Sequence, residues 1–408
     1  MEIKEKIIVR DLAKQYMEIA TSEKQLRANK RMLDTNDLKI VRPPVLMDEI
    51  PWYQMDIDGE LECACKNDKA RYAEQFFRRA IYRNKHFNCD MLIEPFFRIN
   101  MKLSSTGAGL PSVEETVRRT DGENNIISHS YVDVLEDESV LEQLHLPEFT
   151  LHPEIDAAEV EAYTELLGDS MPVRLCGHKY FYVAPWDILS RHRGVEPILI
   201  DMYDRPEYLH KLMTHMIESI KAEMDFAEEN MPIDKGANLH CTPANVSGLA
   251  EDGLKATWFR GMAQMFSTVS PDMFREFELD YIKPLTERFA YSYYGCCEPL
   301  DDRISMLKSI GNLRKLGVSP WANVEKCAEQ IGKDYVFSRK PNPANVAIAT
   351  DRDVIRRETE ETVRACIKYG CPCEFVLKDI STVSSNPQNL IAWAETVSEV
   401  LDKYYGKD

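Results

Sequence analysis

The stretch Tyr291-Ser-Tyr-Tyr-Gly-Cys-Cys-Glu-Pro-Leu-Asp-Asp-Arg303 carries the strongest signal for both fold and site. Three of its first four residues are aromatic, which is typical of a buried strand. The strand is predicted to break at Gly295, and Cys296, Cys297 and Glu298 follow directly. Two thiols and a carboxylate at the carboxyl end of a strand indicate a metal site or a nucleophile site.

On both sides of this stretch, short apolar runs alternate with helical patterns. Strands are predicted at 41–47, 91–97, 173–176, 236–241, 291–297, 313–319, 334–339 and 373–379. Helices are predicted within 1–40, at 68–86 and 205–230, from 270 onward, at 303–310, 322–331 and 350–369, and from 386 onward. A strand, a loop and a helix recurring at about 30–50 residues are the rhythm of a parallel α/β protein.

The length of 408 residues suits a (β/α)8 TIM barrel with an N-terminal helical extension. We place the extension at 1–85, packed on the barrel, and the barrel itself at 86–408. A doubly wound sheet is the alternative. No Gly-x-Gly-x-x-Gly follows a predicted strand, and the sequence contains no P-loop.

Composition and charge restrict the function. The formal net charge of −18 argues against a nucleic-acid partner, because binding phosphate needs a basic face. The sequence has no run of about 18 or more apolar residues and begins with mixed charges, so we expect a cytoplasmic protein without a membrane partner. Eleven cysteines, an odd number in a long chain, disfavour a disulfide framework.

In a barrel the site lies at the carboxyl ends of the strands. There we predict a metal site, with zinc as the expected ion, formed by His240, Cys296, Cys297 and Glu298, because imidazole, thiolate and carboxylate are zinc donors. Side chains alternate along an extended chain, so either Cys296 and Glu298 converge on the site or Cys297 alone points into it. The alternative is two buried thiols, a helix-capping glutamate and a core histidine.

Other residues near the predicted strand ends are candidates for substrate contact. The aromatic residues of 176–186 favour an apolar pocket, and a lysine after the 334–339 strand favours an anionic substrate or cofactor. The substrate-binding candidates are His178, Tyr182, Trp186, Tyr294 and Lys340. Such aromatic residues also build cores, a loop lysine is also often solvated, and Cys241 also suits close packing, so both interpretations stay open.

Several second-half segments together resemble the uroporphyrinogen decarboxylase superfamily. The resemblance lies in Ser270-Pro-Asp-Met-Phe-Arg-Glu-Phe277, in Tyr294-Gly-Cys-Cys-Glu298 and in Leu313-Arg-Lys-Leu-Gly-Val-Ser319. It continues from Asp379 into Asn386-Pro-Gln-Asn-Leu390. The resemblance implies a (β/α)8 barrel. Barrels of this superfamily often pair, so it also implies a homodimer.

The chain departs from both branches of that superfamily. The decarboxylases carry an Arg-Gln-Ala-Gly-Arg-Tyr segment near the first strand, which 43–51 lacks. The cobalamin-dependent methyltransferases bind zinc through a His-x-Cys on this late strand and a further cysteine near the last strand. Here Tyr294 or Gly295 takes the place of that histidine, and 377–381 contains no cysteine. The methyltransferase resemblance therefore implies an altered ligand set, with His240, Glu298 or Asp379 contributing.

The resemblance implies a corrinoid-dependent methyltransferase component. Such a component moves a methyl group from a small methylated substrate, here expected to be an aryl methyl ether, to the cobalt of a partner corrinoid protein. The sequence has no Asp-x-His-x-x-Gly fingerprint, so the cobalamin is expected on that separate partner. Glu298, Asp379 and His240 are the expected catalytic residues, with Asp301 behind them. The alternatives are a uroporphyrinogen decarboxylase-like decarboxylase and a non-catalytic protein that binds a corrinoid or another tetrapyrrole.

Overall fold

The computed structural model describes residues 2–110, 114–116, 129–236 and 238–407, which form a mixed α/β fold. The strands are β1 Val45–Met47, β2 Phe97–Asn100, β3 Leu103–Ser105, β4 Glu114–Thr116, β5 His129–Tyr131, β6 Phe149–Leu151, β7 Val173–Cys176, β8 Phe181–Val183, β9 Trp258–Gly261, β10 Tyr291–Tyr294, β11 Leu313–Val318, β12 Val336–Arg339 and β13 Cys373–Leu377. The helices are α1 Ile3–Ala20, α2 Glu23–Asn36, α3 Asp68–His86, α4 Pro153–Leu167, α5 Pro185–Arg193, α6 Val195–Asp204, α7 Pro206–Asn230, α8 Pro271–Phe274, α9 Asp280–Thr286, α10 Ile304–Leu307, α11 Val324–Ile331, α12 Ala344–Ala347, α13 Arg352–Tyr369 and α14 Gln388–Tyr405.

Seven of these strands form a parallel central sheet in the order β1-β13-β12-β11-β10-β9-β8. From β8 to β13 the order follows the chain, and β1 then joins beyond β13. In a doubly wound sheet the strand order reverses partway across the sheet. Within the described strands of this sheet it does not reverse. β2 pairs in parallel with β7 outside the central sheet, and two antiparallel pairs join β3 to β6 and β4 to β5. The predicted parallel α/β class is confirmed.

Helices α1, α2 and α3 confirm the predicted helical character of 1–40 and 68–86. Helix α2 begins after Ser22, whose hydroxyl accepts a hydrogen bond from the Gln25 N–H at 3.2 Å. Helix α1 packs on α3 and α4 through a buried cluster that includes Val9 and Phe77. Strand β1 lies between α2 and α3 in the chain but pairs with β13, so residues 1–85 supply one strand of the central sheet. The domain boundary at residue 85 stays a prediction.

The predicted strands of the carboxyl-terminal half are confirmed as β10, β11, β12 and β13. The predicted strand at 236–241 is wrong, because the Thr242 N–H donates to Leu239 O at 3.0 Å and closes a turn there. The strand predicted at 91–97 is also wrong, since β2 begins only at Phe97. Strands β8 and β9 were not predicted. A buried arginine, Arg260, interrupts the apolar pattern of β9.

Close backbone packing at the end of β10 determines where the following residues lie. Gly295 has φ of +103°, a conformation that side-chain-bearing residues rarely adopt. A Cβ atom on Gly317 of β11 would lie 2.8 Å from the Gly295 carbonyl carbon. The two glycines therefore let the chain turn tightly over β11 and place the two cysteines at the end of the sheet. None of the helices in the described ranges is both long and apolar enough to cross a membrane.

Candidate active site

Side chains that follow β10 and β13 meet at the carboxyl ends of these strands. The Cys296 and Cys297 sulfurs are 3.6 Å apart, and Cys297 Sγ lies 3.2 Å from Asp379 Oδ2. Lys378 Nζ lies 2.6 Å from Asp379 Oδ2 and 3.7 Å from Cys297 Sγ. We call Cys296, Cys297, Lys378 and Asp379, together with Arg260 of β9, the strand-end cluster.

The charges of this cluster favour a thiolate at Cys296. The hydrogen bond donated by Cys297 and the positive charges of Arg260 and Lys378 lower the pKa of Cys296 to about 5, although burial opposes them. The same hydrogen bond, with burial, raises the pKa of Cys297, so its proton is retained. Burial alone would lower the pKa of Lys378, but the Cys296 thiolate and Asp379 raise it above its ordinary value. The cluster therefore pairs a buried thiolate with fixed cations.

Arg260 is almost fully buried, yet it is incompletely paired. Among the atoms that the structure describes, its Nε and Nη1 have no hydrogen-bond partner. The guanidinium lies over the Tyr293 ring at 4.3 Å and over the Tyr182 ring at 5.8 Å. Unpaired buried donors are rare in native proteins, so this guanidinium is a candidate for binding an anionic or developing negative group. A lone arginine in the apolar Trp258–Gly261 run was the sequence signal for it.

Two carboxyl groups beside the cluster, buried Glu298 and partly buried Asp187, have raised pKa values. Glu298 accepts hydrogen bonds from the Cys296 N–H at 3.0 Å and the Ala263 N–H at 3.4 Å. Burial, with the nearby Cys296 thiolate, raises the pKa of Glu298 to about 7. Burial likewise raises the pKa of Asp187, in the first turn of α5, to about 6. Through these two hydrogen bonds Glu298 connects the loops that follow β9 and β10. Asp187 is a titratable group that the sequence analysis did not identify.

A second group of ligand-type side chains lies next to the strand-end cluster. Glu49, after β1, accepts the Asp379 N–H on Oε2 at 2.7 Å and contacts His240 Nε2 through Oε1 at 3.0 Å. The hydrogen bond from His240 lowers the pKa of Glu49 to about 2. The ligand atoms of Glu49, His240 and Cys241 lie within 4.8 Å of one another. We call these three residues the Glu49 trio.

The predicted zinc ligands are divided between these two places. Within the part of the chain that the structure describes, the Glu49 trio is the group of three His, Cys, Asp or Glu side chains whose ligand atoms come this close together. His240 belongs to it. Cys296 and Cys297 belong to the strand-end cluster, and the Glu298 oxygens face backbone N–H groups. These four residues as one zinc site stay a prediction, since their donor atoms do not form such a group here.

The predicted substrate-contacting residues occupy different environments. Tyr182 is half-exposed, and its ring lies 6.4 Å from the His240 ring. Trp186 is fully buried and donates to Phe277 O at 2.8 Å, and the Tyr294 hydroxyl donates to Glu278 at 3.1 Å. Of the other two, His178 precedes β8 with its ring tilted against Phe181, and Lys340 is buried and donates to Ser338 Oγ at 2.8 Å. Asp301, expected behind the catalytic residues, faces Lys326 of α11. Their substrate or catalytic roles stay predictions.

Comparison with known proteins gives no independent assignment: no family model matches the chain, and no curated protein matches it.

Proposed function

We propose that the protein is a methyltransferase component that transfers a methyl group from a small methylated substrate to the cobalt of a partner corrinoid protein. The single observation that carries the proposal is the incompletely paired, buried Arg260 guanidinium, which acts together with Lys378 on Cys296 at the strand ends. Removing a methyl group from an ether leaves negative charge on the oxygen. Fixed, desolvated cations stabilise such charge without reorganisation.

The chain's own residues would bind the leaving group and supply its proton. Arg260 and Lys378 hold positive charge where the leaving oxygen becomes negative. Glu298, with a pKa of about 7, is half protonated at neutral pH and is the candidate proton donor, whereas Asp187, with a pKa of about 6, is mostly ionised there. When docked, the corrinoid supplies the nucleophilic cobalt that accepts the methyl group.

The aromatic side chains around the cluster favour an aryl methyl ether as the donor. Tyr182 is 48% exposed and lies between His240 and Arg260. The Tyr293 ring also lies against the guanidinium, at 4.3 Å. An aromatic ring bound next to Tyr182 would place an ether oxygen near the cationic groups.

We also propose that the central sheet is part of a closed (β/α)8 barrel. In a flat sheet β10 and β13, three strands apart, would be separated by about 14 Å. The Cys297 sulfur, just after β10, is nevertheless 3.2 Å from Asp379, just after β13, which supports strong curvature. Closure would place β2 between the edge strands β1 and β8.

A decarboxylase is the second candidate, because an unpaired buried guanidinium also suits a substrate carboxylate. The Arg-Gln-Ala-Gly-Arg-Tyr segment of the decarboxylases is absent from 43–51. Arg260 would therefore have to bind the substrate carboxylate in its place. The two functions differ in their products and can be separated in one assay.

The test is an anaerobic assay with a cobalt(I) corrinoid protein and a panel of methyl donors. The panel contains aryl methyl ethers, methylamines and methyl thioethers, and methylated corrinoid is followed by its visible spectrum. We expect methylation from aryl methyl ethers, with release of the phenol. Lys378→Met should lose activity, whereas Lys308→Met, at an exposed position, serves as the matched control. Absence of methyl transfer from every donor, with CO2 released from a carboxylated substrate, would contradict the proposal.

A further inference from the structure

The Glu49 trio is assembled by a turn rather than by a strand. The Leu239–Thr242 turn, closed by the 3.0 Å hydrogen bond described above, carries His240 and Cys241 at its two central positions. Neighbouring residues in an extended strand would point to opposite sides. In the turn, both ligand atoms come within 4.8 Å of each other and of the Glu49 carboxylate.

The three donors match a borderline-soft divalent metal. Imidazole nitrogen, thiolate sulfur and carboxylate oxygen are the ligand types of zinc, and three protein ligands leave one tetrahedral position open. The formal charges of a Glu49 carboxylate and a Cys241 thiolate balance two positive charges. Burial raises the pKa of the Cys241 thiol, so the metal would have to displace its proton on binding.

The Glu49 carboxylate is oriented before any ion arrives. Glu49 has a backbone φ of +52°, which is uncommon for a residue other than glycine. Asp379, with φ of +58°, directs its N–H to Glu49 Oε2 and leaves Oε1 beside His240. Hydrogen bonds from neighbouring groups to a ligand side chain fix the orientation of that ligand. Strained backbone conformations are concentrated at functional sites.

A cavity gives this site access from solvent. It has a volume of about 370 Å³, and His240 and Cys241 both line it. Its other walls include Asp48, Tyr180, Lys179 and Glu94. An ion held by the trio would therefore have an open coordination position and space for a small ligand.

We propose that Glu49, His240 and Cys241 bind a divalent transition metal of zinc type. This site shares only His240 with the predicted zinc site, which also contained Cys296, Cys297 and Glu298. It does not depend on the methyltransferase proposal, because it rests on the trio's geometry and its cavity.

The test uses cobalt(II) as a spectroscopic probe on chelator-treated protein. We expect one equivalent of cobalt, with a sulfur-to-cobalt charge-transfer band and visible bands of tetrahedral intensity, and displacement by zinc. Cys241→Ser should abolish the charge-transfer band. His240→Ala and Glu49→Gln, at exposed positions that are not needed for core packing, should each weaken affinity by more than about 10-fold.

Two controls locate the thiolate. A Cys296→Ser/Cys297→Ser double variant should keep the band, and Cys89→Ser, another buried free cysteine, should also keep it. The proposal is overturned if wild type binds no stoichiometric metal, or if the band survives Cys241→Ser and disappears in the double variant. If Cys241→Ser does not fold, unchanged affinity in both His240→Ala and Glu49→Gln would overturn it equally.

Discussion

The central sheet carries two groups of charged side chains that differ in how completely they are paired. One group lies inside the sheet, where Lys315 of β11 and Glu374 of β13 are fully buried. We call this pair, with Thr242, Ser338 and Lys340, the interior network. The other group is the strand-end cluster. In the first, the central Lys315–Glu374 pair is fully hydrogen-bonded, whereas the second keeps unpaired donors and a thiolate.

The interior network shows what a structural role requires. Lys315 Nζ donates to Thr242 Oγ1 at 2.8 Å, Glu374 Oε2 at 3.0 Å and Pro243 O at 3.2 Å, which uses all three of its protons. Glu374 Oε1 accepts from Thr242 and Ser338, each at 2.6 Å. Lys315 and Glu374 therefore have little capacity left for a ligand, because the lysine donates three hydrogen bonds and both carboxylate oxygens accept.

The strand-end cluster lacks that completeness. Arg260 has two unpaired nitrogens, and Asp379 lies in the left-handed region of backbone conformation. Buried groups held in incompletely satisfied arrangements reduce stability, and proteins keep them mainly at functional sites. This difference supports our proposal that the interior network stabilises the fold and that the strand-end cluster carries the chemistry.

The largest expected effect is on stability, in the interior network. Lys315→Ala leaves the Glu374 charge buried without its partner, and we expect a loss of about 3–5 kcal/mol in the free energy of unfolding. Chemical denaturation measures it. The Lys315→Met/Glu374→Leu double variant removes both charges and should recover most of the loss. A loss below about 1 kcal/mol in Lys315→Ala would contradict a stabilising role for the interior network.

The next effect concerns ionisation of Cys296. Because a thiol is ionised above its pKa, a pKa of about 5 leaves Cys296 almost fully thiolate at pH 7, where an ordinary thiol is ionised to about 3%. The ultraviolet thiolate absorbance of wild type minus Cys296→Ser should rise with pH through a midpoint near 5. Lys378→Met should move the midpoint upward, because it removes a positive charge. A midpoint between pH 8 and 9 in wild type would show that the cations do not act on this thiol.

The smallest expected effect is on the free energy of unfolding, when an exposed ion pair is removed. Arg352 of α13 forms exposed ion pairs with Glu395 and Glu399 of α14. Solvent screening makes such pairs weak, so Arg352→Ala should reduce the free energy of unfolding by less than about 1 kcal/mol. Denaturation at low and at high salt checks it. A loss as large as that of Lys315→Ala would mean that burial does not separate the two kinds of pair.

The fold class and three of the five residues of the strand-end cluster were predictable from the sequence. The alternation of strands and helices indicated a parallel sheet, and Cys296, Cys297 and Asp379 followed because the ends of parallel strands lie at one edge. Both predictions depend on local periodicity, which the sequence records directly.

The remaining site residues depend on tertiary structure. Arg260 was missed because a buried arginine hides the strand pattern of β9. Glu49 reaches the site from β1, the strand that pairs with β13 from the far end of the chain. Cys241 also suited close packing, and a turn replaced the strand predicted at 236–241. Long-range pairing and turn geometry leave no periodic signal in the sequence.

The most direct test of a catalytic role for the strand-end cluster is Arg260→Met, measured for both stability and methyl transfer with the donor that the panel identifies. We predict that transfer falls by at least about 100-fold, because the variant loses a fixed cation beside the oxygen that becomes negative. It also predicts that the free energy of unfolding is unchanged or higher, because an incompletely paired buried charge is replaced by an apolar side chain of similar length. Wild-type transfer in this variant, or a loss of stability comparable to that of Lys315→Ala, would contradict the assignment of chemistry to the strand-end cluster.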